Sequence, residues 1–107
     1  MALEVKAGVR LMGLMPEMCV ALIAKERLFV NIGHTCVITS GIEGKHAADS
    51  KHYVGAALDF RTRELDSFTA QRLAKDAQRA LSDDYWVQLE ADHMHVQYRP
   101  AKHNATT

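Results

Sequence analysis

Tyr85 to Tyr98 reads YWVQLEADHMHVQY, and the way this stretch pairs with itself decides the fold. YWVQLE and HMHVQY carry the aromatic and β-branched residues of strands, with only Ala91 and Asp92 between them. They read as two neighbouring antiparallel strands. Side chains two apart on a strand share a face, so His93 and His95 point the same way. Asp92 stands at the strand mouth, free to swing toward that face. Two imidazoles and an acid are an odd choice for plain packing, and they suggest half of a metal site.

Working outward, Asp66 or Ser67 begins a helix that runs to about Leu81. Its apolar stripe is Phe68, Leu73, Ala77 and Leu81, with Arg72, Lys75, Asp76 and Arg79 toward water. GAALDFRT supplies a strand from about Ala56 to Arg61, and TCVITS, Thr35 to Ser40, another. The loop GIEGKHAADSK joins these two. Upstream, Pro16 opens a helix reaching about Asn31, with Val20, Ile23, Ala24 and Leu28 at three- and four-residue spacing and Gly33 as its stop. Residues 1–15 read as an N-terminal segment, loop or short strand, and residues 100–107 as a polar tail. The predicted class is α+β: a small antiparallel sheet with helices packed on one side.

A chain of 107 residues holds one domain. Thirteen basic residues balance thirteen acidic ones, so no net field recruits nucleic acid or an anionic membrane. The apolar stretch around Met18 to Ala24 is broken by Lys25 and Glu26, too soon to span a bilayer. No secretion signal is evident, so synthesis in the cytoplasm is expected. Cys19 and Cys36 lack CxxC spacing and read as two reduced core residues.

The missing half of the metal site lies in SKHYVGAALDF, Ser50 to Phe60. Asp59 sits in the apolar run GAALDF, where a buried carboxylate needs a partner or a cation. His52 precedes it, with Gly55 between them for a tight change of direction. Two histidines and one carboxylate leave zinc a fourth position for water, whose pKa it lowers to about 7. Asp92, three residues before His95, is placed to take that water's proton.

These residues carry a resemblance. Ser50, His52, Gly55, Ala57 and Asp59 match SxHxxGxAxD, and DHMH supplies DxxH and HxH. From about Ile38 to Tyr98 the chain resembles the zinc D-Ala-D-Ala carboxypeptidase and L-alanyl-D-glutamate peptidase family. That family shares a hedgehog-like fold core with lysostaphin-type peptidases and includes phage endolysins. The resemblance implies a zinc peptidase cutting peptidoglycan stem peptides. His52, Asp59 and His95 would hold the metal, His93 would assist beside it, and Asp92 would be the general base. Ser50 would touch substrate. A second register, Glu90 with His93, has the same spacing but lacks the second histidine of HxH. Relatives often carry arginine soon after TSG, where this chain has Ile42 and Glu43; Lys45 or Arg61 is left to supply that charge. A monomer is the expectation, reaching the wall by lysis, a holin or a phage particle. The alternative is a zinc-stabilised, non-catalytic module of a virion or tail.

The remaining histidines have plainer readings. His34 serves turn geometry after Gly33, His46 stands near the site loop, and His103 belongs to the tail. Tyr85 and Trp86 read as core or rim packing.

Overall fold

The computed structural model describes residues 3–43 and 50–100. Lys45, His46 and His103 lie outside the described residues. In chain order the elements are β1 (Leu3–Val5), α1 (Pro16–Asn31), β2 (Cys36–Ser40), one turn of 3-10 helix (Lys51–Val54), β3 (Ala57–Arg61), α2 (Ser67–Leu81), β4 (Tyr85–Leu89) and β5 (His93–Tyr98). The strands lie side by side in the order β1-β2-β3-β5-β4. The α+β class stands, as two helices on a five-stranded sheet. The expected antiparallel sheet is corrected to a mixed one, because β1 pairs parallel to β2. The chain leaves β1, crosses through α1 and returns along β2, and a helical crossover joins parallel strands. The other three pairings are antiparallel.

One face of the sheet carries the core. Cys36 and Ile38 of β2, Leu58 and Phe60 of β3, and Met94 and Val96 of β5 alternate inward. Met18, Ala21 and Phe29 of α1 and Leu73, Ala77 and Leu81 of α2 cover them. Register fixes what the opposite face shows. Asp59 stands directly across from His95, and Arg61 across from His93. The polar face of the two central strands is therefore the place where the candidate site can form.

Helix ends follow local chemistry. Pro16 opens α1 where its missing N–H costs nothing. Gly33, at φ 75°, closes it in the left-handed conformation. Its N–H donates to Val30 O at 2.9 Å and that of His34 to Phe29 O at 3.0 Å. Asp66 caps α2 by accepting from the Thr69 N–H at 2.7 Å.

The buried faces of both helices differ from expectation. In α1, Val20 and Ile23 are more than half exposed, and the inward residues are Met18, Ala21, Lys25 and Phe29. The helix is apolar on most of its circumference, so spacing alone does not choose a face, and a lysine disguises the true one. In α2, Phe68 is 73% exposed and Ala70 takes its place on the stripe with Leu73, Ala77 and Leu81. Phe68 lies in the first turn of the helix, outside its buried stripe. Cys19 is exposed, correcting its assignment to the core, while Cys36 is buried and its thiol is pushed up to about 12 by that burial. Among the described residues, no helix is long and apolar enough to cross a membrane.

Lys25 is fully enclosed. Its ammonium donates to the Met94 thioether at 2.8 Å and stands 5.1 and 5.5 Å from the ring centroids of Phe29 and Phe60. Thioether and ring faces are weak partners for a charge. Burial lowers its pKa to about 8, with Cys36 pulling it partly back.

Candidate metal centre

The site begins with a turn. Ser50 Oγ accepts from the His52 N–H at 3.2 Å, capping the 3-10 turn that carries His52. Gly55 ends the turn at φ 76°, and a Cβ there would strike the Gly13 carbonyl oxygen. The Met15 N–H donates to Gly55 O at 2.9 Å, tying the N-terminal segment to the same turn. Glycine is thus required twice over, by its backbone angle and by this crossing. From Gly55 the chain enters β3 and presents Asp59. A register shift in the β2–β3 pairing, between Ile38 and Ser40, brings Ser40 opposite Asp59.

Three side chains converge. His52 Nε2, Asp59 Oδ1 and His95 Nδ1 are separated by 3.2, 3.0 and 3.3 Å. Donor atoms about 2.0–2.1 Å from a tetrahedral ion stand roughly 3.3 Å apart, so these spacings suit a zinc-sized cation. The hydrogen bonds behind them sharpen the point. His52 Nδ1–H donates to Gly41 O at 2.7 Å, which turns the Nε2 lone pair inward. His95 Nε2–H donates to Gln97 Oε1 at 3.1 Å, which turns its Nδ1 lone pair inward. Three acceptors then face one another. One proton among them satisfies part of this set, whereas a metal ion satisfies all of it. The group His52, Asp59 and His95 could therefore hold a metal ion.

Electrostatics agree. Burial pushes the Asp59 carboxyl up, but the His52 and His95 imidazoles in contact with it and the nearby charge of His52 and His93 more than reverse this, holding it well below the usual carboxylate range. Burial lowers the His95 pKa, and its bonds to Asp59 and Gln97 outweigh that and raise it. His52 and Asp59 are buried, at 2% and 8% exposure, and His95 is partly open, so the centre is accessible on the His95 side.

His93 stands beside this group rather than in it. Its Nε2 faces the other Asp59 oxygen at 3.8 Å, and its Nδ1–H donates to Asp92 Oδ1 at 2.8 Å. Asp92 is exposed, and its hydrogen bond to His93 lowers its pKa. The geometry thus orders the residues as Asp92, His93, Asp59. Trp86 and His95 meet edge to face with ring centroids 5.6 Å apart, and the Arg99 guanidinium lies 5.1 Å from the indole centroid, which makes Trp86 a wall of the site. Tyr85 donates to Glu17 O at 2.7 Å and belongs to the packing. Ser50 is accounted for locally as a cap, and Arg61 lies on the site face.

No protein-family model matches this chain, and no curated protein matches it.

Residues that the sequence reading missed hold the centre in place. Glu43 accepts from the Arg10 N–H at 2.8 Å, the Gly41 N–H at 2.9 Å and the Ser40 hydroxyl at 3.3 Å. Burial acts to raise its pKa, but these bonds, led by the one from Arg10, lower it overall. Gly41 is pressed against the Arg10 carbonyl, where a Cβ would collide. Glu43 thereby fixes the peptide whose carbonyl orients His52. If the triad holds a metal ion, replacing Glu43 by Ala should weaken its binding about tenfold, the usual effect of losing an outer partner. Competition against a chelating dye measures it, with circular dichroism showing that the fold is kept. Nothing in the spacing of Glu43 signals this role. Gln97 was findable, since it lies two residues after His95 on the same face.

Proposed function

We propose that the chain is a zinc-dependent peptidase that hydrolyses an amide bond in peptidoglycan stem peptides, with the hedgehog-like core of the D-Ala-D-Ala carboxypeptidase and L-alanyl-D-glutamate peptidase family. One observation carries the hydrolytic reading: three inward lone pairs at 3.0–3.3 Å, with an Asp–His pair on the same open sheet face. The choice of peptidoglycan is supported by the likeness of SKHYVGAALD and DHMH to that family's motifs.

When bound, the zinc supplies a Lewis acid for the scissile carbonyl and a water of lowered pKa. The chain's residues do the rest. His52 and His95 are locked in tautomer by Gly41 and Gln97, so the donor set is formed in advance. Asp92 holds His93 through Nδ1, leaving Nε2 directed at the centre to receive a proton and return it to the leaving amine. This shares the base role between Asp92 and His93. Asp92 is a solvated carboxylate of lowered pKa and a poor acceptor by itself.

Digestion of purified peptidoglycan by the zinc-loaded protein should release new amino termini, identifiable by labelling and mass spectrometry, and chelation should stop it. Asp92→Asn should lower turnover at least tenfold with zinc content unchanged. A protein with confirmed zinc that frees no amine from peptidoglycan or stem peptides would leave only a structural use for the metal.

A further inference from the structure

The face of α1 turned away from the core is apolar and open to solvent. Val20 and Ile23 are more than half exposed, Val30 is nearly half exposed, and Met12, just ahead of the helix, is 88% exposed. With Pro16 and Arg27, the three helical residues recur at alternating four- and three-residue steps: 16, 20, 23, 27 and 30. That repeat of 3.5 residues draws one seam along the helix, the spacing by which two helices pack side by side. It runs opposite Met18, Ala21, Lys25 and Phe29, which face the core. Arg27 is exposed within the seam and Glu17 is part-exposed beside it in the first turn. Neither forms a salt bridge among the described residues. An anionic membrane is a poor match, since Glu17 and Glu26 flank the seam and the other cation of the helix, Lys25, is enclosed.

We infer that this seam is a homodimer interface, in which α1 packs antiparallel against α1 of a second copy about a two-fold axis level with Ala21 and Leu22. Charge complementarity chooses both the occupant and the direction. In a parallel pair Arg27 would face Arg27 of the other copy, two like charges in one layer. In the antiparallel pair Val20 of each helix packs on Ile23 of the other, and each Arg27 reaches Pro16 and Glu17 of the other. Two identical ion pairs then close an apolar centre, and the patch is its own complement. The same offset brings the Val30 end of each helix to the Met12 end of the other. The helix is about 24 Å long, and one helix face falls short of the roughly 800 Å² per partner of a standard interface. The dimer is therefore a dissociating one, micromolar or weaker. Both helices cover the core face of the sheet and the donor triad lies on the opposite face, so both metal centres stay open in the dimer. The interface replaces the monomer expected from the sequence, and it does not depend on the peptidase reading.

Sedimentation equilibrium of the full chain at low salt, from micromolar to near-millimolar concentration, should show monomers giving way to dimers. Ile23→Glu and Val20→Lys, both at exposed positions, should weaken association by about tenfold or more, with circular dichroism showing an unchanged fold. Arg27→Glu and Glu17→Arg should each weaken it by about fivefold, because each sets like charges against one another twice. An equimolar mixture of those two variants, or both exchanges in one chain, should return the affinity to within about twofold of the parent, because opposite charges then meet again. A chain that stays monomeric at every concentration overturns the inference, and leaves the seam to another protein. A dimer indifferent to Ile23→Glu and Val20→Lys overturns it too, since the copies then meet elsewhere. So does a dimer that these two weaken but the charge mixture fails to restore, since the helices then do not run antiparallel in this register.

Discussion

On the proposed zinc-peptidase reading, His95→Ala should lower zinc affinity by about a thousandfold and abolish hydrolysis with it. Binding at a four-donor zinc site is worth roughly 10–16 kcal/mol, so one donor accounts for up to about 4 kcal/mol. The loss is not repaired from nearby. His93 is next along the same face, but its Nε2 faces the other Asp59 oxygen at 3.8 Å and its Nδ1–H is committed to Asp92. Since His95 and Asp59 are direct cross-strand neighbours in the middle of the sheet, the substitution leaves the core face untouched. The variant should therefore fold, and chelator competition followed by metal analysis of the dialysed protein separates lost binding from lost structure. Retained zinc in His95→Ala together with lost zinc in His93→Ala would instead move the donor set to the Glu90–His93 register.

Lys25→Met should have the opposite sign and stabilise the protein by about 2–3 kcal/mol at pH 7. A lysine pKa held near 8 against an ordinary 10.5 corresponds to about 3 kcal/mol against the charged form. The contacts with Phe29 and Phe60 return only part of that. Methionine keeps much of the length and places an apolar end against Met94. The pH dependence gives the sharper check. With the folded pKa below the unfolded one, the unfolded chain binds the extra proton between about pH 8 and 10.5, so native stability from this group rises across that window. The penalty is fully present below pH 8. The difference in Tm between variant and parent should thus be largest near pH 7, about 10 °C, and shrink toward pH 10.5. Thermal melts by circular dichroism measure it, and a constant difference across pH would show that the ammonium carries no such penalty.

Lys25 also shows where sequence reading fails. Pro16, Gly33 and Asp66 act on residues within one or two turns, so the ends of α1 and the start of α2 were legible from local chemistry. The buried side of α1 depends on what lies opposite it. There Phe29, Phe60 and Met94 enclose a lysine that any apolar pattern would place in water. The candidate site divides similarly. Ser50, His52, Gly55 and Asp59 are linked by one turn and one strand, and alternation places His93, His95 and Gln97, so the donor set could be read in advance. The residues that orient it come from distant parts of the chain: Glu43 through Gly41, and Arg10 through Glu43. No spacing rule reaches across such separations.

The crossing of residues 10–15 over Gly41 and Gly55 has a further consequence. Arg10 O accepts from Ile42 and Met15 N–H donates to Gly55, so one segment grips both the turn that orients His52 and the turn that carries it. Any metal affinity of the triad is therefore a property of the tied segment as much as of the three donor side chains. A loosened segment would blur the tautomer and position of His52 without altering a single ligand. A side chain at Gly41 or Gly55 would therefore disturb the centre without touching any of its three donor side chains.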